Sequence, residues 1–280
     1  MARKKYAITE ARIRRYLKEG RGQGQGAGYK PWLRTSDVPS LGRAHRVYCP
    51  KTGREHHLLS DNEYFAFFHY WWDDAVVDIR EQFPLINRKD TKRIADSLGV
   101  RHPFETRTGT FVVMTTDFLL TVRNGNRYLT CARAVKEASD LDDDRVLEKL
   151  EIERIYLEER GVEWKLATDR EVKTPFARNL EWIFPCFDED CLGEPGLFAV
   201  YSTRFLEPFM RAPHAPAWRL CQEFDSAFGL FPGAGLTLLR HLLARKVLTA
   251  DLSVGPLQDR PASSFAVNPN FGRNALCAAS

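Results

Sequence analysis

The chain has 280 residues, 44% of them hydrophobic and 28% charged, values that fit a globular protein of one large domain or two smaller ones. No apolar run approaches the roughly 18 residues that cross a bilayer. The opening MARKKYAITEARIRR lacks the apolar core of a secretory signal, so an intracellular protein with no membrane span is expected. The net charge of +4 is unevenly placed: residues 1–54 carry 14 Lys/Arg against three acids, a net +11, which leaves −7 for the remainder. A positive end on an acidic body points to a polyanion, most often nucleic acid. The basic candidates for DNA contact are Arg12, Arg14, Arg15, Lys18, Arg21, Lys30, Arg43 and Arg46, interleaved with Tyr16, Tyr29, Trp32 and Tyr48. The alternative is a solvating basic tail.

In chain order, TEARIRRYLKE (9–19) predicts a short helix capped by Thr9 with an Ile13, Tyr16, Leu17 stripe. RGQGQGAG (21–28) follows. It has neither GxxxxGK[ST] nor a preceding strand, which argues against a nucleotide pocket and for a mobile loop lying close to a nucleic-acid backbone. Residues 58–72 predict a mostly buried helix capped by Ser60 or Asp61, and VVDIREQF (76–83) a strand ended by Pro84. Residues 90–98 predict a helix capped by Asp90 or Thr91. TTDFLLTV (115–122), Asn124-Gly125 and RYLTCARAVK (127–136) predict a β-hairpin. A long helix over 142–160, a strand over 162–168 and a helix near 175–184 come next. AGLTLLRHLLARKVLTADL (234–252) has helical leucine spacing and then a strand-like end, an order compatible with a winged helix. Six cysteines (Cys49, Cys131, Cys186, Cys191, Cys221, Cys277) form no CxxC pair, so reduced thiols and no zinc are expected.

The chemistry-bearing pattern is a helix with Glu63, a hairpin with Asp117 on its first strand and Lys136 at the end of its second, and then a helix and a strand. Two carboxylates and a lysine on adjacent elements can assemble a phosphodiester-cleaving centre. Asp117, a glutamate and a backbone carbonyl near Val135 would hold Mg²⁺, and Lys136 would orient water and steady developing charge. A structural ion pair is the alternative for Asp117 and Lys136, and a surface carboxylate for Glu63.

The stretches GRGQG (20–24), HHLLSD (56–61), DIREQFPL (78–85), TTDFLL (115–120), VLEKLEIERIYL (146–157) and NLEWIF (179–184) closely resemble the TnsA family, the endonuclease subunits of heteromeric cut-and-paste transposases. The resemblance implies an α/β fold: a restriction-endonuclease-like nuclease core, then a C-terminal, mostly helical, winged-helix-like domain. It implies Glu63, Asp117 and Lys136 as the catalytic set, with Glu63, Asp117 and the Val135 carbonyl on Mg²⁺ (Mn²⁺ as a substitute). Glu153 falls at a further acidic active-site position, whereas Glu148 and Glu151 are expected on a solvated face. The expected domains are a basic segment (1–54), the nuclease domain (55–172), the winged-helix-like domain (173–255) and a loosely ordered tail (256–280). The expected substrate is double-stranded transposon-end DNA, cut on its 5′ strand. The expected partners are a TnsB-like DDE transposase and a TnsC-like AAA+ regulator, in the bacterial cytoplasm with the nucleoid.

One departure is plain. Nucleases of this fold usually place Asp, Glu or Gln two residues before the lysine, and here Ala134 stands there. A non-catalytic DNA-binding scaffold or a stand-alone restriction-like nuclease are the alternatives. His56 and His57 are expected to include one packed or capping histidine, Trp71 and Trp72 to be core, and Arg80, Glu81 and Gln82 to be structural or DNA-lining.

Overall fold

The two-residue turn Gly125–Asn126, one residue later than the Asn124-Gly125 pair expected because Asn124 still pairs with Arg127, closes a hairpin of two ten-residue strands, and the rest of the first unit is built on it. In the computed structural model, which describes residues 7–38, 43–193 and 197–269, the chain divides into Met1–Lys173 and Thr174–Ser280.

The first unit opens with α1 (Glu10–Lys18), capped by Thr9, whose hydroxyl accepts from Arg12 N–H. A small sheet follows, in which β1 (His45–Cys49) pairs antiparallel with β2 (Arg54–Leu58). Then come α2 (Asp61–Trp72), β3 (Val76–Pro84), α3 (Arg88–Ser97), β4 (Thr115–Asn124), β5 (Arg127–Lys136), α4 (Asp144–Glu158), β6 (Glu163–Thr168) and the single turn α5 (Asp169–Val172). The main sheet has the order β3-β4-β5-β6, with antiparallel pairs except the last, β5 with β6, which is parallel. A parallel pair needs a crossover, and α4 supplies it. Leu119 and Ala132 of the sheet pack with Ile94 and Ala95 of α3 and with Ile152, Tyr156 and Leu157 of α4. α2 packs on β3 and β5, with Ala66, Phe67, Phe68 and Trp71 buried. Its all-round apolar sequence matches that burial.

The glycine-rich stretch is a packed turn, not the mobile loop expected. Gly22 N–H donates to the Lys30 carbonyl (2.6 Å), and Lys30 N–H to that of Gln23 (3.1 Å). A Cβ on Gly22 would lie 2.2 Å from the Pro84 ring, at a φ of +77°. Gly22→Ala is therefore expected to lower the melting temperature by several degrees, by clash and by backbone strain together. A melting curve superimposable on wild type would show that the turn does not depend on this contact.

In the second unit, Thr174 caps α6 (Pro175–Ile183), and α7 (Leu197–Arg211), α8 (Ala217–Phe228) and α9 (Ala234–Ala244) follow. The Asp225 carboxylate accepts from Gly233 N–H (2.7 Å) and Gly235 N–H (2.6 Å), which fixes the start of α9 on α8. A strand does follow α9, but it is shorter than 247–252: β7 (Leu248–Thr249) pairs with β8 (Ala266–Val267). The stretch from 256, expected to be loosely ordered, holds 3₁₀ turns at Leu257–Asp259 and Ala262–Ser264 before β8. Leu257 and Ala262 are buried, and Ala262 N–H donates to the Ala215 carbonyl (2.9 Å), which is what orders it. Residues 270–280 of that tail, Cys277 among them, lie outside the described residues. The other five cysteines carry free thiols. No described helix is long and apolar enough to cross a membrane.

Candidate active site

Glu63 sits in the first turn of α2 because Ser60 caps that helix. The Ser60 hydroxyl accepts from Glu63 N–H (3.1 Å) and donates to Glu63 Oε1 (3.3 Å), so cap and carboxylate fix each other. Glu63 Oε2 accepts from Leu59 N–H (3.0 Å) and from the Gln82 side-chain amide (3.2 Å). Asp117 comes from β4, and its Oδ2 accepts from Val135 N–H (2.8 Å) and from the Lys136 ammonium (2.9 Å). The same ammonium donates to the Val135 carbonyl (2.9 Å). Glu153, in the middle of α4, accepts from the Trp164 indole N–H of β6 (2.9 Å). The hairpin register and the crossover helix thus gather four groups that lie as far as 90 residues apart in sequence.

All three carboxyls are buried, while the Lys136 side chain keeps 31% exposure. Burial, and then the Asp117 charge, raise Glu63 to about 8 and Glu153 to about 7. Lys136 goes the other way. Burial opposes its charge, but Asp117, Glu153 and Glu63 outweigh burial and hold the ammonium protonated well above its ordinary range. Three acids thus face one cation.

A carboxyl whose folded pKa exceeds its unfolded value binds its proton more tightly in the folded state, so stability falls as pH rises between the two values. For Glu63 that window runs from 4.5 to about 8. The metal-free protein is expected to melt lower at pH 8 than at about pH 5, and Glu63→Gln to flatten the upper part of the decline, melting about 4 °C above wild type at pH 8. Parallel wild-type and Glu63→Gln profiles would show that ionising this carboxyl costs the fold nothing.

The donor chemistry fits a hard divalent cation. Glu63, Asp117 and the Val135 carbonyl are oxygen donors, and a bound cation would favour the ionised form of the raised Glu63 carboxyl. Among the described residues no three His, Cys, Asp or Glu side chains are grouped to hold a metal by themselves. A site of two carboxylates and a carbonyl suits Mg²⁺, which keeps several of its waters. The Lys136 ammonium stands on two of those oxygens and must share them with a cation. Ala134 is fully buried and offers only a methyl.

The basic residues divide into two groups. Arg14, Lys18, Lys30 and Arg43 are exposed, as are Arg15 and Arg46, which face Glu19 (3.5 Å) and Glu55 (3.9 Å). Arg12 and Arg21, expected on DNA, are instead committed inside the protein. Arg12 donates to the Tyr16 hydroxyl (2.7 Å) and pairs with Asp37 (3.6 Å). Arg21 is buried, pairs with Asp37 and Glu19, donates to the Trp32 carbonyl (3.0 Å) and stacks 3.6 Å from the Tyr16 ring centroid. Asp37 captures both guanidiniums, which composition could not show. Glu148 pairs with Arg145, and Glu151 with Arg154, on the outer side of α4.

Sequence reasoning missed Trp164 and left Gln82 as structural or DNA-lining. Trp164 grips Glu153, and Gln82 grips Glu63; no periodicity signals either contact. Of the two undecided motifs, His56 is fully buried and Glu81 beside it is the hub of an ion cluster. Glu81 takes Arg54 on both oxygens (2.9 and 2.6 Å), His56 Nδ1 (2.8 Å) and His57 N–H (3.1 Å). Burial would raise the Glu81 carboxyl, but His56 and Arg54 outweigh it and hold it at about 2. Burial would likewise discharge His56, and Glu81 keeps it cationic.

Two family models match the chain: TnsA-like endonuclease N terminal over residues 73–169, and TnsA endonuclease C terminal over residues 171–252. Asp117, Lys136 and Glu153 lie within the first match, and Glu63 lies ahead of it. The chain is also 40% identical over 244 residues to the Transposon Tn7 transposition protein TnsA of Escherichia coli, across 87% of each sequence.

Proposed function

The chain belongs to the TnsA family and is a DNA endonuclease of Tn7-like transposition, and on that premise we propose that it hydrolyses the 5′, non-transferred strand at transposon ends, using Mg²⁺ held by Glu63, Asp117 and the Val135 carbonyl. The observation that carries this reading is the buried set of Glu63, Asp117 and Glu153 around Lys136, with its unmet need for positive charge.

When bound, the cation lowers the pKa of a water and neutralises charge on the scissile phosphate. Hydrolysis joins the water oxygen to phosphorus, breaks one ester P–O bond, and moves a proton from the water to a base while the leaving oxygen gains one. Lys136 is too firmly protonated to accept that proton, so its part is to stabilise the charge that grows on phosphate oxygens. Glu153, at about 7 and outside the proposed metal ligands, is able to hold a proton at working pH. Glu63 and Asp117 are held in place before substrate arrives by Ser60, Leu59, Gln82 and Val135.

A TnsB-like DDE transposase that cuts and joins the 3′ ends, and a TnsC-like AAA+ regulator, are the partners this role requires. The scaffold reading draws on Ala134 alone. A Mg²⁺- or Mn²⁺-dependent rise in melting temperature, abolished by Asp117→Ala, tests the two against each other; a scaffold gives no such rise. On the DNA side, neutralising Arg14, Arg15 and Lys18 together is expected to weaken binding and to reduce the slope of log K against log salt by about 2 to 3. An unchanged slope would mean that this face of α1 meets protein and not phosphate.

A further inference from the structure

Gln82 is one of two non-glycine residues with a positive φ among the described residues, at +49° in the interior of β3. Its neighbours keep the ladder, Glu81 opposite Phe118 and Phe83 opposite Thr116, which sets Gln82 across from Asp117. Strands do not impose that conformation, and backbone strain of this kind persists where surrounding contacts over-determine it. Here the contacts are visible. The Gln82 carbonyl accepts from Trp32 N–H (3.2 Å), next to the Tyr29 hydroxyl donating to the Glu81 carbonyl (3.0 Å). The side chain is buried, and both ends of its amide are used: Nε2 donates to Glu63 Oε2 (3.2 Å), and Oε1 accepts from the Thr115 hydroxyl (3.2 Å).

A kink alone would be served best by glycine, so the side chain needs its own explanation. The Thr115 hydroxyl fixes which end of the amide faces Glu63, and the donor end then grips the same oxygen that Leu59 N–H holds. Glu63 Oε1 is left to the Ser60 hydroxyl, which can rotate away from it. On β5, beyond β4 in the sheet, Ala134 contributes no polar side-chain atom. We propose that Gln82 is a positioning residue for the metal-binding carboxylate: it locks Glu63 Oε2 so that Oε1 is presented to the cation, and it supplies from β3 the polar support that β5 lacks at Ala134. This rests on the proposed metal site and adds to it a residue that touches neither metal nor substrate.

The test uses the full-length protein and Mn²⁺ alone, followed by titration calorimetry, with metal-free melting curves alongside. Gln82→Gly relieves the positive φ and deletes the amide. It is expected to melt at or above wild type while its Mn²⁺ dissociation constant rises at least about tenfold. Gln82→Asn, which also tolerates a positive φ, keeps a shorter amide and is expected to fall between the two. Thr115→Val leaves the backbone alone and frees the amide to turn, so a rise of about threefold or more is expected; this variant decides the matter should Gln82→Gly fail to fold. Wild-type Mn²⁺ affinity in Gln82→Gly, or in Thr115→Val where that variant decides, would overturn the proposal. If wild type and Asp117→Ala bind Mn²⁺ alike, the metal site itself is wrong, and the role of Gln82 goes with it.

Discussion

Asp117→Asn is expected to reduce DNA cleavage by about a thousandfold or more without lowering the melting temperature. The amide oxygen still accepts from Val135 N–H, the contact that ties β4 to β5 at this point. What disappears is a metal-binding charge and the repulsion that raises Glu63 and Glu153, so the fold gains while the chemistry is lost. Lys136→Ala is expected to lose cleavage by about two to three orders of magnitude for a different reason. It leaves three buried acids without their cation, and DNA binding by the exposed lysines and arginines is expected to persist. Cleavage assayed beside melting curves and DNA binding separates these effects. Retention of more than about a tenth of wild-type activity by Asp117→Asn would remove that carboxylate from the site.

Glu81→Ala is expected to act wholly through the fold. Glu81 pairs with both Arg54 and His56, all three buried, and it joins the β1–β2 hairpin to β3. Removing it strands the Arg54 guanidinium in the interior and discharges His56, a loss of about 3–5 kcal/mol. For a unit of this size that corresponds to a melting temperature lower by about 10 °C. Because Gln82 is the next residue, the Glu63 contact is expected to loosen as well, and cleavage to fall most steeply near the new melting point. Glu81→Gln keeps one acceptor oxygen and the side chain's volume, although its NH2 then faces N–H donors, and is expected to cost less than Glu81→Ala. A Glu81→Ala protein as stable as wild type would mean that the cluster contributes nothing net, as buried ion pairs sometimes do not.

The nuclease hairpin was legible because its signals are local: a glycine between two runs of β-formers needs no tertiary partner to be seen, although the turn falls on Gly125–Asn126, one residue beyond the Asn124-Gly125 pair. The same holds for α1, where Thr9 caps, and for α4, which acids open and Gly161 follows. The start of α3 was legible only to within a turn, since Asn87 caps it in place of Asp90 or Thr91. The β1–β2 hairpin escaped notice because HRVYC and REHHL read as charge, and the burial of Arg54 and His56 depends on Glu81 from another strand. Arg12 and Arg21 looked like phosphate ligands for the same reason: the sequence shows a count of guanidiniums, and Asp37 decides where two of them go. Of the site, Asp117 and Lys136 were readable from the hairpin and Glu63 from the helix it begins, but Glu153 came through resemblance alone. Gln82 was left as structural or DNA-lining, and its grip on Glu63 was not readable, because a left-handed residue inside a strand is imposed by contacts from Trp32 and Thr115 and not by its own preference.

The central claim is that this chain cuts one defined strand. Its most direct test is cleavage of a transposon-end duplex labelled on each strand in turn, in Mg²⁺ and with the cognate DDE transposase present, comparing wild type with Asp117→Ala. The account predicts 5′-strand cleavage by wild type, none by the variant, and 3′-end cleavage by the transposase in both reactions. An uncut 5′ strand with wild type, while the 3′ ends are cut as usual, would contradict it and leave the chain a DNA-binding scaffold whose transposition products are fused cointegrates.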